Sequence, residues 1–381
     1  MSVTAAQGFV ATGLEIGLKH SGGKDLALVQ NLGPSKAAAV VFTSNRAKAN
    51  PILWSQQVIT DGIVEAIVLN SGGANCYTGS QGFQVTHATA EAFAEKLGVS
   101  AGDVLVCSTG LIGDQLPLEK ILSGIARAEL TATGGEDASE AILTTDSHPK
   151  RTVVAGNGWT IGGMAKGAGM LAPGLATMLV VITTDAVVGS AQLDASLRAA
   201  TRVTFDRLDS DGCMSTNDQV TLLASGASGV APTTDEFTAA VTQVCDELAQ
   251  LLQEDAEGAS HDIVIETVNA VTEDDAVEVG RAVARNNLFK AAVFGNDPNW
   301  GRVLAAIGTT AAPFDPYSVD VSMNGVMVCR SGEPGDSRDL VDLTARRVHV
   351  LVDLKAGAAT AIIRTNDLTH DYVHENSAYS S

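Results

Sequence analysis

The feature that most constrains the fold is the run KGAGMLAPGLATMLVVITTDA at residues 166–186, in which a loop of small residues leads into an apolar strand. The strand, Met178–Thr183, is rich in Val and Ile, which favours a buried position in a sheet. Thr177 therefore stands at the mouth of a buried strand that would hold its hydroxyl rigidly. If the Ala176–Thr177 bond breaks, Thr177 gains a free α-amine beside its hydroxyl, one of the known ways to activate a threonine. The alternative is structural, since threonine also favours strands in general.

Composition limits the partners and the location of the chain. The 381 residues allow one large unit or two closely packed lobes, and 45% hydrophobic residues supply a sizeable core. Lys+Arg 24 against Asp+Glu 44 gives a net charge of −20, which argues against nucleic acid or an anionic membrane as a partner. The N-terminus does not resemble a signal peptide, and no run reaches the roughly 18 apolar residues of a membrane span. We expect a soluble cytoplasmic protein.

The spacing of the cysteines and histidines limits the kinds of active site that the chain can form. The five cysteines contain no CxxC pair, so neither a disulfide framework nor a zinc site is indicated, and no metal or cofactor is expected. The seven histidines form no HxH, HExxH or Cys–His cluster, which argues against a zinc enzyme and a Ser-His-Asp triad. An enzyme of this sequence needs another base. An α-amine, with a pKa of about 7.7–8.0 in model peptides, would serve near neutral pH.

Helices and strands alternate without a strict βαβ order, which indicates layered α+β structure. Short apolar runs bounded by turn residues predict the strands Ala66–Asn70, Asp103–Cys107, Thr152–Ala155, Met178–Thr183, Val220–Leu223, Ile263–Val268, Val319–Met323, Val348–Leu354 and Ala359–Arg364. Apolar residues at helical spacing predict the helices Thr86–Leu97, Gln192–Phe205, Glu236–Ala256 and Asp274–Phe289.

A second candidate for chemistry is CSTGLIG at 107–113, directly after a predicted strand. Backbone N–H groups turning through Thr109 and Gly110, with the Thr109 hydroxyl, could form an oxyanion hole, because glycine permits the backbone angles that point an amide outward. An ordinary turn at the end of a strand is the alternative.

For two further motifs the role is also left open. Asn70 and Asn75 in NSGGANCYTG could face a ligand, and Arg302 in FGNDPNWGR could bind a substrate carboxylate or make a structural ion pair.

The run DSDGCMSTND at 209–218 is crowded with polar side chains. A metal site is conceivable from Asp209, Asp211 and Asp218. The spacing matches no calcium-binding loop, so the motif favours hydrogen-bonded loop scaffolding.

Taken together, the motifs resemble one family along nearly the whole chain: the ornithine acetyltransferases of the arginine pathway, also called glutamate N-acetyltransferases. The matching runs are NSGGAN, CSTGLIGD, LTTD, GGMAKGAGMLAPGLATML, STND, DAEG, FGNDPNWGRVLAA and ENSAYSS. The resemblance implies an α+β fold, a layered αββα-type sandwich similar to N-terminal-nucleophile enzymes, with a smaller C-terminal lobe.

The resemblance also implies residue roles. A precursor would cut itself between Ala176 and Thr177, giving pieces 1–176 and 177–381 that remain together as an α2β2 heterotetramer. Thr177 would be the nucleophile, and Thr109 and Gly110 the oxyanion hole. The implied substrate contacts are Thr144, Lys166, Thr177, Glu257, Asn376 and Ser381. Gly174 stands where the family commonly has Asn or Ser, which we expect to alter the rate of maturation.

The implied reaction is ping-pong transfer of acetyl from N2-acetyl-L-ornithine to L-glutamate through an acetyl-threonine, with no cofactor. The resemblance also allows acetyl-CoA as a second donor, which would make the enzyme bifunctional. The alternative is an aminopeptidase or amidohydrolase of the same self-cleaving superfamily, in which water replaces glutamate. Members of that branch tend to use serine, so Thr177 disfavours it.

Overall fold

The computed structural model describes residues 2–172 and 178–378. Within these ranges the strands are β1 Phe9–Leu14, β2 Leu26–Asn31, β3 Ala37–Phe42, β4 Ala66–Ser71, β5 Val104–Thr109, β6 Lys150–Ala155, β7 Thr160–Lys166, β8 Leu179–Thr184, β9 Gln219–Ala224, β10 Asp262–Ala270, β11 Asp320–Met323, β12 Val326–Arg330, β13 Glu333–Pro334, β14 Arg347–Asp353 and β15 Ala359–Asn366. The helices are α1 Asn50–Val58, α2 Gly79–Leu97, α3 Leu118–Arg127, α4 Gly135–Ala141, α5 Ser190–Val203, α6 Thr234–Glu254, α7 Glu273–Ala284, α8 Asn287–Phe294, α9 Trp300–Ile307 and α10 His370–Ala378. None of these helices is both long and apolar enough to cross a membrane.

Two sheets stack face to face and form the centre of the molecule. The four-stranded sheet has the order β1-β2-β4-β5, and the five-stranded sheet has the order β3-β9-β8-β7-β6. Apolar side chains of both sheets, among them Leu69 and Leu105 on one side and Val181 and Leu223 on the other, share one buried core. Strands covered on both faces are expected to be continuously apolar. Strand β8 (LVVITT) fits that expectation, since all of its residues are buried.

Helices cover the outer face of each sheet. On the four-stranded sheet, α2 and α3 contribute buried residues such as Phe93 and Ile125. On the five-stranded sheet, α5 and α6 contribute residues such as Leu197 and Phe237. The order of layers is therefore helix, sheet, sheet, helix. This confirms the predicted αββα-type sandwich.

The third sheet forms a separate C-terminal lobe with the order β13-β12-β11-β14-β10-β15. Its core is built with α7, α8 and α9. Gln253 near the end of α6 joins the lobe to the sandwich, because its Nε2 donates to the carbonyls of Ile263 at 3.0 Å and Thr365 at 2.8 Å. The predicted smaller C-terminal lobe is thus confirmed.

Helix boundaries depended on capping residues. The helix predicted over Glu236–Ala256 is α6, and a capping box between Thr233 and Glu236 fixes its beginning. The single helix predicted over Asp274–Phe289 is wrong. It is two helices, α7 and α8, because the Asn286 side chain accepts from the Phe289 amide and starts a new helix there. Helix α5 ends at Val203, two residues before the predicted end.

Candidate active site

The chain re-enters the described structure at Met178, one residue after the predicted nucleophile; Ala176 and Thr177 themselves lie outside the described residues. Met178 is buried, and its N–H donates to Asp218 Oδ1 at 3.1 Å. Leu179, the next residue, pairs with Lys166 at the end of β7 and with Gln219 at the start of β9. Met178 is therefore anchored by Asp218, and the residue after it is held between the ends of β7 and β9.

Thr109 and Gly110 lie at the end of β5. The strand was predicted to stop at Cys107, but it continues to Thr109, whose carbonyl accepts from the Gly72 and Gly73 amides at 2.9 Å each. The turn begins only at Gly110, which has a φ of +127°. A Cβ on Gly110 would lie 2.5 Å from the Gly73 nitrogen. Glycine is therefore required at position 110 for two separate reasons, backbone angle and space.

The two asparagines singled out from the sequence are bonded to other protein groups instead of facing a ligand. Asn70 Nδ2 donates to the Gly73 carbonyl at 3.2 Å, and its Oδ1 accepts from the Ser108 hydroxyl at 2.6 Å. Asn75 Nδ2 donates to Gly82 and Thr86, and its side chain is buried. Their amides are used within the loop, so the idea that they present polar groups to a ligand is wrong.

Lys166 connects the two sheets at this end of the molecule. It is the last residue of β7 and is only 2% exposed. Its Nζ lies 3.3 Å from Thr109 Oγ1, so it donates to the hydroxyl of the predicted oxyanion hole. Burial lowers the pKa of Lys166, and the nearby carboxylate of Asp146 acts in the opposite direction.

Thr144 belongs to the same group of side chains through Asp146. Its backbone N–H donates to Asp146 Oδ2 at 3.0 Å, and the same oxygen lies 3.9 Å from Lys166 Nζ. The structure thus brings together Thr109, Gly110, Thr144 and Lys166, four of the residues that the sequence had marked at scattered positions.

Glu257 and Asn376 form a second group. Asn376 Nδ2 donates to Glu257 Oε2 at 2.9 Å, and the Glu257 amide donates to the Ala168 carbonyl at 3.0 Å. A cavity of about 230 Å³ opens beside Glu257 and is also lined by Asp211, Lys290 and Tyr372. Residues 167–169 join this group to Lys166. Ser381, the last predicted contact, lies outside the described residues.

A glycine at position 258 lets α10, which carries Asn376, approach Glu257. Gly258 has a φ of +60°, and a Cβ there would lie 2.2 Å from the Tyr372 nitrogen. We expect Gly258→Ala to push α10 away and to raise the KM for a substrate bound at this site by about tenfold or more, the scale of one or two lost hydrogen bonds to a charged group. Steady-state kinetics measures this.

Gly229→Ala is the matched control for that change. Gly229 has a similar φ of +70°, but no atom lies within 4 Å of the position that its Cβ would take. The two variants share the backbone strain, and only Gly258→Ala crowds α10. Equal KM values in both would contradict a role for the α10 contact in substrate binding.

The three aspartates considered for a metal have separate partners. Asp209 accepts from Arg285 Nε at 2.7 Å, Asp211 from the Cys213 amide at 3.0 Å, and Asp218 from the Met178 amide. In the parts of the chain that are described, no three acidic, His or Cys side chains gather in a way that could hold a metal ion. The motif therefore acts as hydrogen-bonded scaffolding.

Arg302 makes a structural contact. Its Nη1 donates to the Leu288 carbonyl within the C-terminal lobe. The partner is a backbone carbonyl, neither of the two partners considered from the sequence.

Sequence reasoning missed Asp146, which contacts more of the site than any predicted residue. The signal was available, because Asp146 is the acidic residue of the LTTD motif in which only Thr144 was given a role. Lys150 and Asp255, both bonded into the same network, carried no comparable signal because neither belongs to a motif that stood out.

Comparison with known proteins agrees with the motifs. The model of the ArgJ family matches residues 10–381. The arginine biosynthesis bifunctional protein ArgJ of Streptomyces coelicolor is 64% identical over 383 residues, and that of Thermobifida fusca is 58% identical, each covering the whole of both chains. A solved ornithine acetyltransferase from Mycobacterium tuberculosis, complexed with ornithine, is 52% identical, covers 47% of this chain and 96% of its own, and has a TM-score of 0.44. Full-length identity at this level confirms the resemblance, and the chain belongs to the ArgJ family.

Proposed function

We propose that this protein is a glutamate N-acetyltransferase of arginine biosynthesis that moves an acetyl group from N2-acetyl-L-ornithine to L-glutamate. The observation that carries the proposal is the contact of Lys166 Nζ with Thr109 Oγ1. It places the predicted oxyanion hole against the end of β7, and β7 pairs with the strand that begins just after Thr177. These contacts support a site at one end of the stacked sheets, where the proposed oxyanion donors and a buried cation lie near the start of the strand that follows Thr177 in sequence.

Maturation is the first proposed step. Thr177 Oγ attacks the carbonyl carbon of Ala176, the Ala176–Thr177 C–N bond breaks, and an ester with a free Thr177 amine results. Water then hydrolyses the ester and releases the Ala176 carboxylate. The anchored Met178 supports this step, because its N–H donates to Asp218 Oδ1 and fixes the chain directly after the proposed cut.

Acetyl transfer then proceeds in two halves. The Thr177 amine takes the hydroxyl proton as Oγ attacks the acetyl carbonyl; the bond to the ornithine nitrogen breaks, and ornithine leaves with that proton. The amine of glutamate next attacks the acetyl-threonine ester, giving N-acetylglutamate and the free hydroxyl. Thr109 is suited to bind the oxyanion. A lysine offers only donors, so the Thr109 hydroxyl accepts from Lys166 and keeps its own proton for the oxyanion.

We propose that Lys166 meets an anionic group of the substrate and Glu257 its cationic side chain. The support is that Lys166 lies beside Thr109, and Glu257 lies beside the cavity near α10. Opposite charges at the two ends would orient an amino acid that carries both signs.

The two proposed pieces, 1–176 and 177–381, are expected to stay together after the cut. β8 belongs to the second piece and lies between β7 of the first and β9 of the second in the five-stranded sheet. Separation would expose a continuously buried strand, at a cost of about 1.5–3 kcal/mol for each large apolar side chain. We propose that two such pairs assemble as an α2β2 heterotetramer.

The test is a transfer assay with purified protein, acetylornithine and glutamate. We expect ornithine and N-acetylglutamate to form in equal amounts, and omission of glutamate to stop turnover after one acetyl group per site. Ornithine release that continues without glutamate would instead establish the hydrolase alternative, which the full-length relatives do not favour.

Acetyl-CoA is the second donor in this proposal. The relatives named above are called bifunctional, which supports testing the activity here. We expect acetyl-CoA and glutamate to give N-acetylglutamate through the same acetyl-threonine. If only acetylornithine acetylates the protein, as measured by mass spectrometry of the second piece, the enzyme is monofunctional.

A further inference from the structure

A buried ion network lies beside the proposed active site and has no role in the reaction described above. Lys150 Nζ donates to Asp146 Oδ1 at 2.6 Å and to Asp255 Oδ2 at 2.5 Å. The side chains of Lys150 and Asp146 are fully buried, and that of Asp255 is 6% exposed. Ionisable groups this deeply buried are rare unless they are paired, and each member of this network has such a partner.

Asp146 is charged despite its burial. Burial by itself would raise its pKa, but Lys166 and Lys150 outweigh that effect and hold the pKa at about 2. With Asp255 and the neighbouring Lys166 included, two carboxylates lie next to two lysines in the protein interior.

The Asp146 carboxylate holds both Thr144 and the segment that carries Lys166, two of the proposed substrate contacts. Asp146 Oδ1 accepts from the Gly167 amide at 2.6 Å, directly after Lys166. Asp146 Oδ2 accepts from the Thr144 amide at 3.0 Å and faces Lys166 Nζ. The position of Asp146 therefore determines where Thr144 and Lys166 lie relative to each other.

Asp255, at the other end of the network, lies next to the turn that carries Glu257. Asp255 is the C-cap of α6, directly after its last residue, and lies two residues before Glu257. It accepts from Lys150 and from the Ser147 amide at 3.0 Å. The network thus fixes the turn that carries Glu257 against the segment that carries Thr144.

The network also crosses the proposed cut. Asp146 and Lys150 precede residue 176, whereas Asp255 follows it. A cut chain no longer has the 176–177 bond to keep the two sides aligned, so noncovalent contacts must do so.

We propose that Asp146 is a positioning residue for acetyl transfer: through Lys150 and Asp255, its carboxylate keeps Thr144 and Lys166 aligned with Glu257 across the two pieces. The inference rests on the proposed function, which assigns those three residues to substrate. Net stabilisation is a weak explanation for the network, because desolvation commonly offsets the attraction within buried ion pairs. Alignment of the proposed substrate contacts Thr144, Lys166 and Glu257 explains why the network lies beside them.

The test is Asp146→Asn in the full-length protein, which removes the charge and preserves the shape. We expect the variant to fold and cut itself, with a KM for acetylornithine at least about tenfold higher, the usual effect of removing a residue that orients a binding group. The kcat should change less, since Asp146 reaches the Thr109 hydroxyl only through Lys166.

A pH profile separates positioning from simple structural support. The titratable groups near Lys166 are Asp146, Lys150, Glu257 and Asp218. Removing the negative charge of Asp146 makes the ammonium form of Lys166 less favourable. The basic limb of kcat/KM, where Lys166 loses its proton, should therefore move to lower pH.

Asp194→Asn is the matched control, because Asp194 forms an exposed ion pair with Arg198 on α5, away from the network. It should leave KM and the pH profile unchanged. If Asp146→Asn cuts itself and has wild-type KM and pH profile, the proposal is overturned, whatever its thermal stability.

If Asp146→Asn yields no folded protein, Asp255→Asn decides the question. It should raise KM and leave the basic limb in place, because Asp255 is linked to Lys166 only through other residues. An unchanged KM would overturn the proposal. Wild-type protein without acetyl transfer would refute the proposed function instead, so the two failures are distinguishable.

Discussion

Thr177→Ala is expected to remain one uncut chain of 381 residues and to lose acetyl transfer. In the proposed mechanism both effects have the same cause, since one hydroxyl attacks first the Ala176 carbonyl and then the acetyl group. Removing a catalytic nucleophile commonly costs a factor of about 10⁴ to 10⁶ in kcat. Denaturing electrophoresis measures the first effect, and release of ornithine measures the second.

Thr177→Ser is the control, because it keeps the hydroxyl and removes only a methyl group. It should still cut itself and transfer acetyl. Wild type and Thr177→Ala that both run as a single uncut band would disprove the nucleophile proposal. A Thr177→Ala chain that stays uncut but transfers acetyl at the wild-type rate would confine Thr177 to maturation.

Gly110→Ala is expected to reduce kcat by a factor of about 10² to 10³, the usual loss when one oxyanion donor is displaced. The new Cβ would lie 2.5 Å from the Gly73 nitrogen and 2.9 Å from the Gly72 carbonyl carbon. These are backbone atoms that cannot rotate away, so the turn must shift and carry the Gly110 N–H with it. Single-turnover kinetics with acetylornithine measures the loss in the chemical step.

Gly113→Ala provides a close control three residues further along the chain. Gly113 also has a positive φ, +98°, but nothing lies within 4 Å of where its Cβ would be. Both variants carry the strain of an unfavourable φ, about 1–2 kcal/mol. If the two variants have equal kcat, crowding of the turn at Gly110, the proposed oxyanion hole, is not what controls the chemical step.

The elements most readily predicted were those whose environment is uniform. Strand β8 is covered on both faces, so its apolar run predicts it without ambiguity. Helix α6 shows a regular apolar face, with Phe237, Val241, Val244 and Leu248 buried as expected.

Elements in a less uniform environment were misjudged or missed. Strand β7 contains glycines and ends in a lysine, a pattern more typical of a loop, and pairing with β6 and β8 makes it a strand.

The end of β5 shows why boundaries needed the structure. Ser108 and Thr109 are polar, so the sequence predicts that the strand stops at Cys107. They remain in the strand because Asn70 and Ser71 of β4 pair with them. Polar residues within a buried strand require partners from distant parts of the chain, and those partners cannot be read from local pattern.

By itself, the sequence determined the family, the layered fold class and the residue types of the site, because apolar periodicity and ordered motifs are properties of the chain alone. Only the tertiary structure decided which of these residues meet. Thr109 and Lys166 are far apart in sequence, and they come into contact because two sheets stack with those strand ends together. Asp146 became visible for the same reason: a buried charge is defined by its neighbours, and Lys150, Lys166 and Gly167 become its neighbours only in the folded chain.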